Sequence, residues 1–154
     1  MTTIVARIVE IYLFRRIDGR PWYLVLRRSA HERLYPGIWQ VITGTMEPGE
    51  TAVQAARREA QEETGLTLKR FWSVPGIGCF YDAASDTVQM CPQFAGEVDA
   101  TAAPTLSAEH QEFQWMDVDR ASGILAWPGQ RQTVRVVHDF LVTGEATQGL
   151  TLIE

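Results

Sequence analysis

The chain opens on an apolar run, Ile4-Val-Ala-Arg-Ile-Val-Glu-Ile-Tyr-Leu-Phe14, whose β-branched and aromatic residues predict a strand over 4–14. Asp18-Gly19-Arg20-Pro21 is a turn signal, and Trp22 to Arg27 predict a second strand, so residues 4–27 form a hairpin. A polar loop from Ser29 to Gly37 and a short strand from Ile38 to Thr43 follow. Gly44 to Gly49 is a loop containing two glycines and Pro48. The pattern then changes period. Thr51 opens a helix through about Thr64, because nearly every residue from Ala52 to Glu63 is a strong helix former. Gly65 stands where a helix C-terminal glycine belongs.

Strand patterns return at Leu66–Val74, Ile77–Tyr81, Val88–Val98 and Glu112–Met116, broken at Pro75-Gly76 and Asp82–Asp86. Ala100 to Ser107 is a small-residue connection too short for a domain linker. Pro128 suits the first turn of a second helix, which Val134, Val137 and Leu141 continue at helical spacing until Gly144. Thr147–Glu154 is a tail or short strand. The order predicts an α+β fold, a mixed β-sheet with helices against both faces, in one domain over residues 1–154.

Composition narrows the function classes. At 154 residues with 45% hydrophobic and 21% charged positions, the chain has the balance of a folded globular domain. The formal net charge of −5, without a basic stripe, argues against a nucleic-acid polymer as partner. The N-terminal apolar run is too short for a membrane helix and no cleavage site follows it, so no membrane association is expected. Cys79 and Cys91 have no metal-ligand spacing and do not make a disulfide scaffold; reduced thiols and a cytoplasmic location are expected.

The candidate chemistry lies in the first helix. Glu59, Glu62 and Glu63 are neighbours at i, i+3 and i+4, so three carboxylates converge on one patch near the helix C-terminus. Like charges repel at that spacing, and the negative end of the helix dipole adds to the cost. A hard divalent cation such as Mg²⁺ would relieve both. The competing reading is a solvated acidic face partnered by Arg57 or Arg58.

The preceding loop and this helix together resemble the Nudix hydrolase signature, Gly-x5-Glu-x7-Arg-Glu-U-x-Glu-Glu-x-Gly-U with U aliphatic. Gly44, Glu50, Arg58, Glu59, Ala60, Glu62, Glu63, Gly65 and Leu66 fill every position. Average residue usage gives a chance match in a chain of this length odds of roughly one in ten million. The resemblance implies a Nudix-type α/β/α sandwich and Mg²⁺-dependent hydrolysis of a nucleoside diphosphate linked to another group, with Mn²⁺ as a second candidate ion. It implies metal ligation by Glu59, Glu62 and Glu63, with the Gly44 carbonyl adding a further oxygen. Arg58 and Glu50 occupy the positions of a supporting ion pair. Glu109 is preferred over Glu112 as general base or extra ligand, and the adjacent His110 reads as idle.

Outside the box, Trp39-Gln-x-x-Thr43-Gly44 followed by Glu-x-Gly-Glu-Thr-Ala resembles the dihydroneopterin triphosphate pyrophosphatases. That implies a nucleoside or pterin triphosphate as the small-molecule substrate, giving the monophosphate and pyrophosphate. The alternatives are a diadenosine polyphosphate hydrolase, suggested by Tyr81 beyond the box, and a non-catalytic nucleotide-binding module. Trp39 and Tyr81 are candidate stacking residues, and Arg27 is the candidate strand-end cation for the phosphates. Arg27 and Arg28 point to opposite faces, so only one of them can reach a phosphate cleft. Homodimers are frequent in the family, although no feature of this sequence demands one.

Overall fold

The structure, a computed structural model, describes residues 1–154. Eight strands form one mixed sheet: β1 (Thr3–Val5), β2 (Ile8–Ile17), β3 (Arg20–Arg28), β4 (Trp39–Gln40), β5 (Ile42–Thr45), β6 (Arg70–Asp82), β7 (Thr87–Glu97) and β8 (His110–Met116). The helices are α1 (Ala52–Thr64), α2 (Val118–Ile124) and α3 (Pro128–Val136), the last continuing as a π-helical segment, Val137–Val142.

The β2–β3 hairpin closes through Asp18 and Gly19, both at positive φ (50° and 76°), the twist that a two-residue hairpin turn requires. β2 is the centre of the sheet. It runs parallel to β7 and antiparallel to both β5 and β3. Its alternation sends Val9, Ile11 and Leu13 to one face, where Ala55, Ala56 and Ala60 of α1 pack with Leu24, Leu26 and Ile42. Tyr12 and Phe14 point the other way, into a second core with Tyr23, Trp72, Leu125, Val134 and Leu141. Two cores on opposite faces make the α/β/α layering expected from the sequence. Glu10 lies on the second face, where its carboxylate accepts from Gln93 Nε2 at 3.1 Å and Gln130 Nε2 at 2.8 Å, satisfying a charge beneath α3.

Several boundaries differ from the sequence reading. The run 4–14 is two strands, because the register against β7 slips by one residue across Ala6-Arg7. The run 38–43 divides at Val41, where the chain changes partner from β3 to β2 and the Val41 N–H donates to Gln130 Oε1 at 3.2 Å. Gly44 lies on β5 rather than in the loop. The two strands at 66–81 are one strand, β6, with its irregularity at Ser73–Ile77 around Pro75-Gly76. Helix α2 carries no long apolar period and was not foreseen; Asp117 caps it by accepting from Arg120 N–H at 2.9 Å. The tail makes a single antiparallel bridge, Leu152 to Trp72. No helix is long and apolar enough to cross a membrane.

Candidate active site

Helix α1 is fixed at both ends by local sequence. Thr51 Oγ1 accepts from Gln54 N–H at 3.2 Å, and Gln54 Oε1 accepts from Thr51 N–H at 2.9 Å, a complete capping box. Gly65, at φ 67°, ends the helix with its N–H on the Gln61 carbonyl. The three buried alanines hold α1 close to the sheet, so the acids on its flank meet β5. Glu63 is 3% exposed and the Glu59 side chain 12%, whereas Glu62 stands at the rim at 59%. A Cβ at Gly44 would overlap the Glu59 side chain, so only glycine lets this carboxylate lie against the strand. Gly44→Ala is therefore expected to fold, because the displaced group is the end of a flexible side chain, and to lose about tenfold in activity. Circular dichroism with steady-state rates checks both.

Arg58 ties the box together. Its guanidinium donates to Glu50 Oε1 at 2.8 Å and Oε2 at 2.9 Å, to Glu59 Oε1 at 2.7 Å, to Glu62 Oε2 at 3.2 Å and to the Thr45 carbonyl at 3.0 Å. A bidentate fork of this kind is specific to arginine. It holds the Glu50 carboxyl at about 2, well below its ordinary value. Part of the acidic patch is thus paired within the helix, as the competing reading required. Glu63 is not.

A cleft of about 340 Å³ opens beside Glu59 and Glu63, lined also by Ile8, Thr43, Gly44, Thr45 and Glu109. That volume falls in the small-ligand range. Both Glu63 oxygens are buried without a hydrogen-bond donor. Burial, then the nearby Glu109 and Glu59 carboxylates, push its carboxyl up to about 9. Burial also raises Glu59, against the lowering effect of Arg58. Glu63, Glu109 and His110 each place one ligand atom within 4.8 Å of the others. Orphaned carboxyl oxygens crowded in this way fit a divalent cation, whose charge would displace the Glu63 proton; Glu59 and Glu63 would face it, with Glu62 at the rim and Glu109 beside it.

A bulge places Glu109 and His110. β8 pairs regularly with β3 as far as Glu112 on Arg27, then slips so that His110 opposes Arg28. Arg28 lies on the α1 face, as Leu26 does, and its Nη1 donates to Glu109 Oε1 at 2.7 Å while Nη2 meets Glu32 at 3.2 Å. Of the two strand-end arginines, Arg28 reaches the site. Arg27 lies on the opposite face, bonded to the Gly37 carbonyl and 3.5 Å from Glu112, so neither Arg27 nor Glu112 lines the cleft. Trp39 packs half-buried against the α2–α3 core, and Tyr81 donates to Asp86 at 3.0 Å on the β6–β7 hairpin; neither lines it. His110, expected to be idle, and Gln40, which no sequence signal singles out, meet beside Glu63. His110 is buried, with Nε2 3.0 Å from Gln40 Nε2 and Nδ1 3.6 Å from Glu63 Oε2, and burial lowers its pKa. No sequence signal marks the bulge that turns it inward.

Comparison with known proteins gives the family and the fold. A stretch of 106 residues, 64% of this chain, is 40% identical to the octanoyltransferase of Myxococcus xanthus, a match that takes in only 28% of that protein's length. Nucleoside triphosphatase NudI of Enterobacter sp. (strain 638) is 28% identical over 107 residues, 65% of this chain and 76% of its own length. In a binary complex, the Ap4A hydrolase of C. elegans has the same fold, with a TM-score of 0.74 at 23% identity, covering 89% of this chain and 98% of that one. The NUDIX domain family model matches residues 6–140, nearly the whole sheet and all three helices, and the chain belongs to the NUDIX family.

Proposed function

We propose that the chain is a Nudix hydrolase that cleaves an acid anhydride with a divalent cation, Mg²⁺ by preference. The substrate assigned is a nucleoside or pterin triphosphate, split into the monophosphate and pyrophosphate. The observation that carries this reading is Glu63, a buried carboxyl with no donor on either oxygen in a cleft shared with two further acids. Glu59, Glu62 and Glu63 hold the cation with the Gly44 carbonyl, and Arg58 keeps Glu59 and the box loop in place. When bound, the cation offsets phosphate charge and so allows polyphosphate to approach a chain of net charge −5.

Glu109 is the base. Arg28 holds its Oε1, leaving Oε2 to take the proton of a water that attacks phosphorus as the P–O anhydride bond breaks and pyrophosphate leaves. The similarity to a protein named nucleoside triphosphatase, together with the Trp39-Gln-x-x-Thr-Gly entrance, supports the triphosphate class. The free thiols Cys79 and Cys91 support a reducing, cytoplasmic setting.

The test is a panel of dATP, dGTP, dihydroneopterin triphosphate and diadenosine tetraphosphate, each incubated with Mg²⁺ or with EDTA and resolved by chromatography. Monophosphate and pyrophosphate formed only with the ion are expected. Preferential cleavage of diadenosine tetraphosphate would replace the triphosphate assignment. Failure to turn over any phosphoanhydride with Mg²⁺ or Mn²⁺ would overturn the hydrolase reading.

A further inference from the structure

The strands around the cleft bring together three side chains that the Nudix signature does not relate. Gln40 opposes Leu26 on β4, and His110 opposes Arg28 at the β8 bulge, so both face α1. Regular alternation from Phe113 would have put Gln111 on that face and His110 on the other; the bulge exchanges them. His110 thereby stands between Gln40 and Glu63, with its side chain fully buried. An imidazole placed there without a partner on Nδ1 is costly, and a carboxyl group with two orphaned oxygens beside it adds to the cost.

The Gln40 contact points to which ring nitrogen carries the proton. Gln40 presents its amide nitrogen to Nε2 at 3.0 Å. An amide nitrogen only donates, so Nε2 accepts and the neutral ring keeps its hydrogen on Nδ1. Glu63 Oε2 lies 3.6 Å from Nδ1, just beyond hydrogen-bond distance, a gap that a small rotation of the carboxyl group closes. We propose that His110 is a positioning residue: oriented by Gln40, its Nδ1–H holds one Glu63 oxygen so that the other faces the cation in the cleft.

This role rests on the functional reading above, since it presumes that Glu63 binds an ion. It is the arrangement by which proteins commonly orient a ligating side chain, and removing such a partner typically weakens metal affinity 10–100-fold. It also gives Gln40, in the Trp39-Gln-x-x-Thr-Gly stretch, a task distinct from contact with substrate.

Two replacements separate a held hydrogen from mere packing. In His110→Asn the side-chain amide N–H occupies the place of Nδ1, whereas in His110→Gln it occupies the place of Nε2. Mn²⁺ binding, followed by the spin-resonance signal of free ion, is expected to stay within about threefold of the parent in His110→Asn. It is expected to weaken about 10–100-fold in His110→Gln and in Gln40→Leu. Nitrogen-15 spectra of the unsubstituted protein supply a readout independent of folding variants. They should place the ring proton on Nδ1, and Gln40→Glu, which offers an acceptor, should move it to Nε2. A ring proton on Nε2 in the parent, or equal Mn²⁺ affinities for the Asn and Gln replacements, would overturn the proposal. If the parent protein bound no Mn²⁺ at all, the functional reading itself would fail, and the positioning role with it.

Discussion

Replacing Glu63 by Gln is expected to cut phosphoanhydride hydrolysis at least about 10³-fold while making the cation-free protein more stable. On the proposed reading the rate loss comes from removing a charged ligand of a cation that would supply several kcal/mol of transition-state stabilisation, each 1.4 kcal/mol being about tenfold. The gain in stability follows from burial. In the folded chain the Glu63 carboxyl titrates at about 9 against an ordinary value of 4.5, so the native state binds more protons than the unfolded state between those limits. Stability therefore falls as pH rises from about 4.5 towards 9. At pH 7 the penalty is on the order of 3 kcal/mol, and Gln removes it. Melting curves in EDTA should show the variant roughly 5–10 °C above the parent at neutral pH, with the difference vanishing near pH 5. Saturating Mg²⁺ should raise the parent alone. A variant less stable than the parent at pH 8 without ion would mean that the Glu63 carboxylate is already compensated in the fold by more than the single N–H of His110.

Arg58→Ala is expected to have the second largest effect, with the opposite sign on stability. One guanidinium serves Glu50, Glu59 and Glu62. Without it three acids repel one another, the loop before α1 loses its tie through Glu50, and the end of β5 loses its tie through Thr45. The network is partly exposed, which puts the loss between the limits for surface and buried pairs, a melting temperature about 5 °C lower. Activity should fall about 100-fold, because Glu59 is no longer held. Arg58→Lys should recover little of either, since an ammonium cannot fork across both Glu50 oxygens. The pH dependence has a definite direction. Glu50, depressed to about 2, contributes stability that is complete above its ordinary value of 4.5 and is lost as pH falls towards 2. The gap between parent and Arg58→Ala should therefore narrow in acid. A gap that widened below pH 4 would contradict the pairing.

The layering, α1 and its caps were legible in the sequence because each has a local cause: the β-branched apolar run of β2, the run of helix formers, Thr51 and Gly65. Features with distant causes were not. Val41 divides a strand because Gln130, far along the chain, takes its N–H. Helix α2 is seven residues long, too short to show a period. The box acids were readable at i, i+3 and i+4, yet their unequal burial was not, since it depends on how β5 and β8 close over α1. The choice between Arg27 and Arg28 required the face of β3, and the inward turn of His110 required a one-residue slip in β8. Tyr81 and Trp39 lie on either side of the box in sequence, and neither lines the cleft in space.

The most direct measurement is the anomalous diffraction of Mn²⁺ in crystals grown with the ion and a non-hydrolysable triphosphate analogue. A peak is expected between Glu59, Glu62 and Glu63, with Glu109 and the Gly44 carbonyl beside it and phosphate oxygens on its far side. A crystal with the analogue bound and no ion among those acids, or with the ion held elsewhere, would contradict their role as ligands.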